Sequence, residues 1–166
     1  LQHLGRDHVD VMQLHTWTRA WNHDPEPLQV LRDIQKEGKI RTIGVSTPEH
    51  DQNALIDLMK NDWVDAVQVI YNIFEQEPAA EFLPVAGKHK IGVIVRMPFD
   101  EGVLTGKYTA NHVFPKDDFR SRYFAGDRLE RAVERVEMIR EVVAPTGYNL
   151  PQAALKFSSA HPAVST

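Results

Sequence analysis

Four short runs of aliphatic and β-branched residues recur in the first hundred positions: Val9-Asp-Val-Met-Gln-Leu14, Ile40-Arg-Thr-Ile-Gly-Val45, Ala66-Val-Gln-Val-Ile70 and Ile91-Gly-Val-Ile-Val95. Each has the length of a strand and the apolar density of a buried parallel one. Helical patterns separate them. Asp24, Pro25 and Glu26 suit a helix start, Leu28, Val30, Leu31 and Ile34 form an apolar stripe, and Gly38 suits the stop. Ser46-Thr47-Pro48-Glu49 has capping-box spacing ahead of a helix that buries Leu55, Ile56, Leu58 and Met59. Pro78 opens another helix, with Phe82, Leu83 and Ala86 facing inward. After Pro98 comes a glycine-bearing loop to Tyr108, and the polar, aromatic stretch from Thr109 to Gly126 reads as one long loop. Asp127 with Glu130 caps a helix through Leu129, Val133, Val136, Ile139 and Val143, which Gly147 ends. Asn149 with Gln152 starts the next, carrying Ala153, Ala154, Leu155 and Phe157. His161-Pro162 stops it, and Ala163-Val164-Ser165 reads as the opening of a fifth strand.

Strands alternating with helices predict an α/β fold with parallel pairing and right-handed crossovers. Four such units make half of a barrel or a small open sheet, with two successive helices before the last strand. A chain of 166 residues predicts one domain, residues 1–166. A complete (β/α)8 barrel takes about 200–250 residues or more. Residue 1 is Leu, and the first residues read as a helix tail running into Gly5, so the chain is expected to begin in mid-fold.

Composition removes several classes of function. The 23 acidic and 19 basic residues give a formal charge of −4 and are spread along the chain, which offers no electrostatic case for nucleic acid or an anionic membrane. No apolar stretch approaches the ~18 residues of a membrane span, and no signal peptide is visible. The absence of Cys excludes disulfides, thiolate catalysis and cysteine-based zinc sites, and fits a reducing, cytoplasmic setting.

The strand ends carry the chemistry. His15, Ser46, Asn72 and Arg96 follow the four apolar runs, and polar side chains at the C-terminal ends of parallel strands are where barrel and open-sheet enzymes keep their active sites. His15 can donate to a carbonyl oxygen or move a proton, or it is simply satisfied by nearby backbone. The hydroxyls of Ser46 and Thr47 can bind a polar ligand group, or merely cap a helix. An inward Gln68 needs an amide partner, since an unpaired buried amide costs about 1–3 kcal/mol. Arg96 requires a carboxylate, a ligand or a flat ring, with Asp100 and Glu101 available for a local ion pair. Gly102, Gly106 and Lys107 suit a loop that approaches phosphate.

Longer motifs carry a family likeness. Leu4-Gly5-Arg-Asp7-His-Val-Asp10 running into Leu14-His15, and Glu37-Gly38-Lys39-Ile40-Arg41-Thr-Ile43-Gly44-Val45-Ser46, resemble the aldo-keto reductases. So do Val67-Gln68-Val-Ile-Tyr71-Asn72, Leu104-Thr-Gly106-Lys107-Tyr108 and His161-Pro162-Ala163-Val164-Ser165-Thr166. The resemblance spans the chain in order. It implies a (β/α)8 barrel, of which this chain matches strands four to seven and the first residues of strand eight, with the family's extra helix before the last strand. It further implies reduction of a small-molecule aldehyde or ketone by hydride transfer from NADPH, less often NADH. Of the family's Asp, Tyr, Lys and His tetrad only the His maps, onto His15, so the chain alone is expected to be inactive. By the same resemblance Ser46, Thr47 and Gln68 hold the nicotinamide carboxamide, and Arg96 takes the place of the aromatic that stacks on the ring. Met97, Pro98, Phe99, Gly102, Lys107 and Arg120 complete the cofactor contacts, with the segment from Pro98 to Lys107 following the pyrophosphate. Thr47 stands where Asn is usual. Asp100 and Glu101 add negative charge to this loop and are expected to turn away or to meet Lys107, Arg120 or Arg122. A non-catalytic, cofactor-binding partner of the same fold, like the potassium-channel β subunits, is the alternative class.

Overall fold

The computed structural model describes residues 1–166, and the chain divides into two compact units. The first comprises residues 1–71, 75–96 and 159–166; the second comprises 72–74 and 97–158.

The first unit is built on a four-stranded parallel sheet in chain order: β1 (Val9–Leu14), β2 (Ile40–Ser46), β3 (Ala66–Ile70) and β4 (Gly92–Arg96). Helices α1 (Glu26–Lys36), α2 (Ile56–Lys60) and α3 (Phe82–Lys88) connect the strands. The fold is therefore α/β, as the alternation predicts. Side chains alternate across a strand, and residues in register on parallel neighbours share a face. Ile43, Val45, Val67, Val69 and Val93 occupy one face and are fully buried, together with Leu28, Leu55, Phe82 and Leu83 from the connecting segments. The opposite face carries Gly44, Ala66 and Gly92 in one register row and Ser46 with Gln68 in the next.

Four local readings change. Strand β1 is not buried: it is an edge with β2 as its one sheet neighbour, and Val11 and Met12 are 47% and 42% exposed. Asp24 does not cap α1, because the cap position is Pro25; the Asp24 carboxylate instead accepts from the Gln29 amide at 3.1 Å. Ser46 to Glu49 form no capping box, since the next helical turn starts only at Gln52. The last residues adopt no regular strand, although Val95 N–H donates to the Thr166 carbonyl at 2.7 Å and Ser165 N–H to Val93 at 2.9 Å.

The second unit holds α4 (Arg120–Tyr123), α5 (Arg128–Val143) and most of α6 (Leu150–Ala160). Its core joins Val103, Leu104, Tyr108, Phe114 and Phe124 to Leu129, Val136, Leu150 and Ala154. The stretch from Thr109 to Gly126 is thus no plain loop, because it contributes Phe114, Phe124 and α4. Asp127 holds Arg131 at 3.1 Å rather than capping α5 with its side chain. The Asn149–Gln152 box does form: Asn149 N–H donates to Gln152 Oε1 at 3.0 Å, and Gln152 N–H to Asn149 Oδ1 at 2.9 Å.

One buried side chain organises the exit of the sheet. Thr47 N–H donates to the Gln68 carbonyl at 2.8 Å, and a regular parallel ladder would next run from Ile70 N–H to the Thr47 carbonyl. The chain leaves the sheet at Pro48, and Ile70 N–H instead donates to Gln52 Oε1 at 3.2 Å. The same oxygen accepts from the Thr47 hydroxyl at 2.8 Å, while Gln52 Nε2 donates to the Glu49 carbonyl at 2.8 Å. Gln52 is 3% exposed, so these groups have no water to turn to. Gln52→Leu, which keeps the bulk and removes the amide, is expected to destabilise the chain by about 2–4 kcal/mol, against about 1 kcal/mol for Thr47→Val. Urea titration of the two variants checks the order; equal losses would mean that Gln52 acts through packing.

Candidate functional site

The first unit brings four of the candidate residues to one end of one sheet face. Leu14 is in register with Val45, which puts His15 beside Ser46; Ser46 is in register with Gln68, and Gln68 with Ile94. Arg96 lies two residues beyond Ile94, opposite Ile70, hence on the same face and one pleat further out. His15, Ser46 and Gln68 thus form a row across three strands, with Arg96 at its rim. His15, Ser46 and Arg96 sit at the C-terminal ends of their strands, while Gln68 lies in the middle of β3.

Their environments differ. His15 is exposed, because it ends the edge strand. Ser46 is 3% exposed, and the one internal contact of its hydroxyl is a long 3.4 Å approach to the Thr47 carbonyl. Such a hydroxyl keeps most of its hydrogen-bonding capacity. The Gln68 amide makes no hydrogen bond within the chain and is half-buried. Thr47 is different in kind. Its hydroxyl is buried and donates to Gln52, so the proton expected for a ligand is already committed to the fold. Gln52 is the residue that sequence reading missed, and its position six residues after Ser46 on a short helical turn left no periodic signal.

The second unit carries Met97, Pro98, Phe99, Gly102, Lys107 and Arg120. Five consecutive backbone bonds wind the loop onto itself: Asp100 N–H to Met97, Gly102 and Leu104 N–H to Phe99, Val103 N–H to Asp100, and Thr105 N–H to Gly102. Met97, Asp100, Glu101 and Gly102 have φ of 59°, 43°, 54° and 95°, left-handed conformations that non-glycine residues adopt at a cost of about 1–2 kcal/mol each. A cavity of about 310 Å³ lies between this loop and the start of α4, with Met97, Pro98, Phe99, Glu101 and Gly102 on one wall and Phe119 and Arg120 on the other. Lys107 is exposed, with its ammonium 4.9 Å from the Tyr108 ring.

Of the partners expected for Asp100, none of the three cations is met, and a hydroxyl takes their place. Asp100 meets none of Lys107, Arg120 or Arg122; it accepts the Tyr123 hydroxyl at 3.0 Å, and burial raises its pKa against the opposing pull of Tyr123 and Arg128. The Tyr123 hydroxyl is pushed upward in turn, first by burial and then by the neighbouring Asp100 charge. Arg120 Nη2 reaches Asp118 at 2.5 Å, and Nη1 donates to the Tyr108 hydroxyl at 2.8 Å.

The Arg120 side chain, helped by the Arg120 backbone N–H, lowers the Asp118 carboxyl to about 2. A carboxylate depressed below its unfolded value contributes stability above about pH 4, and that contribution disappears as pH falls through about 2. Carboxyl-carbon NMR of Asp118 is expected to show a midpoint near 2 that returns toward the ordinary range in Arg120→Ala. A parent midpoint near 4 would contradict the pairing.

Known proteins share the family and the fold. The aldo/keto reductase family profile matches residues 1–166. An NADH-specific methylglyoxal reductase of Escherichia coli is 26% identical over 162 residues, covering 93% of this chain and 48% of that protein. An aldo-keto reductase of Bacillus subtilis is 32% identical over 121 residues, 73% of this chain and 36% of its own length. Among solved structures, a glycerol dehydrogenase of Gluconobacter oxydans superposes with a TM-score of 0.79 at 24% identity, over 98% of this chain and 50% of that one. An aldo-keto reductase of Bacillus halodurans in its holo form gives 0.72 at 24% identity, over 99% and 49%. The chain spans about half the length of most of the relatives it matches. With a family match over every residue and the parallel α/β fold to accompany it, this chain belongs to the aldo/keto reductase family.

Proposed function

We propose that this chain forms the half of an NAD(P)H-dependent carbonyl reductase that orients the substrate carbonyl and seats the nicotinamide. The observation that carries the reading is the row of His15, Ser46 and Gln68 on one sheet face, with Arg96 at its rim. A primary carboxamide offers one acceptor and two donors. The Ser46 hydroxyl and the Gln68 amide hold unspent capacity of both kinds, and so fit it. Thr47 supports them through Gln52 rather than by its own proton.

The bound dinucleotide supplies the hydride. His15 donates to the carbonyl oxygen and fixes its direction, a role worth about 10²–10⁴ in rate where proton transfer is included. The guanidinium of Arg96 presents a planar cation to the nicotinamide ring. Met97, Pro98, Phe99, Gly102, Lys107 and Arg120 follow the pyrophosphate. NADP is the favoured cofactor and NAD is admissible; the relatives include one protein named as NADH-specific and one named for NADP(+). A cytoplasmic protein acting on a small-molecule carbonyl fits this chemistry, and no helix is long and apolar enough to cross a membrane.

Fluorescence titration with NADPH tests the reading. Gln68→Ala is expected to weaken binding about threefold to tenfold, the worth of one hydrogen bond. Arg96→Ala is expected to cost about threefold to thirtyfold, and Arg96→Tyr to recover more of it than Arg96→Lys, because a flat surface rather than a charge is required. Unchanged affinity in all four variants would overturn the site. None of the chain's positions matches the Asp, Tyr and Lys of the tetrad, so the 166 residues alone are expected to show no turnover with NADPH and a reactive aldehyde.

A further inference from the structure

Tyr123 is an aromatic hydroxyl with no part in the row of strand-end residues. It lies one helical turn beyond Arg120 in α4, and its hydroxyl donates to Asp100 Oδ1 at 3.0 Å. Arg120 belongs to one wall of the 310 Å³ cavity, while Asp100 sits in the loop that forms the other, between Phe99 and Glu101. This single hydrogen bond therefore ties one wall to the other. The Tyr123 ring is itself held, with the Arg128 guanidinium 4.0 Å from its centroid and the Phe124 ring edge-on at 4.8 Å.

The tie falls where the backbone most needs one. Asp100, Glu101 and Gly102 are three successive left-handed residues, and two of them carry a Cβ. Such a run persists only where surrounding contacts over-determine it. Beyond the backbone bonds of the turn, Gly102 is hemmed by the Tyr108 hydroxyl, 3.0 Å from where a Cβ would lie. That hydroxyl is fixed in turn by Arg120. Tyr123 of α4 thus holds the strained turn directly, and Tyr108, itself held by Arg120, lies close against it.

We propose that Tyr123 is a positioning residue for the cofactor: its hydrogen bond to Asp100 latches the loop from Met97 to Gly106 onto α4 and sets the width of the cleft between them. The inference rests on the reading of that cleft as the path of the dinucleotide's pyrophosphate. The latch needs a hydrogen-bond acceptor at position 100, not a charge. Asn supplies the same carbonyl oxygen and tolerates positive φ better than most residues.

Three variants separate the possibilities: Tyr123→Phe, Asp100→Ala and Asp100→Asn. Hydrogen exchange reads the latch without any ligand. Tyr123→Phe and Asp100→Ala should speed exchange of the Gly102, Val103 and Leu104 amides about threefold to tenfold, the worth of one hydrogen bond, with Asp100→Asn staying near the parent. NADPH titration reads the positioning role, with affinity expected to fall by a similar factor in the first two variants and to be retained in the third. Unchanged exchange in Tyr123→Phe overturns the latch. Faster exchange with unchanged affinity overturns its role toward the cofactor. Asp100→Asn behaving like Asp100→Ala would mean that the charge facing Arg128 holds the loop, and that also overturns the proposal. A parent protein that binds no dinucleotide defeats the cofactor reading of the cleft, while exchange still decides on the latch.

Discussion

The β2–β3 ladder ends with a side chain standing in for backbone. Where the chain turns out of the sheet at Pro48, Ile70 N–H passes to the Gln52 carbonyl oxygen instead of a main-chain acceptor. A buried N–H left unmet costs about 1–3 kcal/mol, so the substitution is what lets β2 stop while β3 continues toward Tyr71. It also fixes the place where Ser46 and Thr47 leave the ladder. The hydroxyl that Gln52 captures belongs to Thr47, and the one beside it, on Ser46, keeps its capacity. A committed hydroxyl and an uncommitted one are thus adjacent in sequence and separated by the pleat.

The sheet explains why the polar row is tolerated. Its helix-facing side is made of fully buried Ile43, Val45, Val67, Val69 and Val93, which supply the hydrophobic stabilisation on which the unit rests. The other side carries Gly44, Ala66 and Gly92 one level below Ser46 and Gln68, with Gln13 beside Gly44 and Ile94 beside Gln68. Gly44 illustrates the closeness, since a Cβ there would meet Gln13 at 3.3 Å. Small residues beneath polar ones leave room at the strand ends without interrupting the core behind them.

Much of this was legible in the chain. Parallel order followed from apolar runs alternating with helical stripes, and the reciprocal Asn149–Gln152 cap followed from its spacing. The same spacing misled at Ser46 to Glu49, because Pro48 and the Gln52 side chain serve the ladder rather than a helix start. Within these 166 residues β1 has a strand on one side only, which leaves Val11 and Met12 exposed. The segment from Thr109 to Gly126 hid its role because aromatic burial there follows no period. Phe114 stacks on Phe124 at 5.5 Å across ten residues, and Tyr108 meets Phe114 edge-on at 5.0 Å. Asp100 and Tyr123 lie 23 residues apart and become partners only through a turn whose left-handed backbone no residue type announces.

Arg120 shows how a paired charge can keep donors in reserve. Its Nε and Nη2 are taken by Asp118 and its Nη1 by Tyr108, yet a guanidinium has five N–H donors, and these contacts need not consume them all. Pairing lowers the net charge at the cleft, which weakens long-range attraction for an anion. It also removes the rotamer freedom that a long side chain would otherwise lose on binding, roughly 0.5–1.5 kcal/mol. Lys107 is the contrasting case: it is exposed, meets no carboxylate, and holds its compact ammonium 4.9 Å from the Tyr108 ring. The guanidinium is held by a carboxylate and a hydroxyl, the ammonium by one ring face. Arg120 stands on the wall across the cavity from the loop, and Lys107 lies at the loop's end.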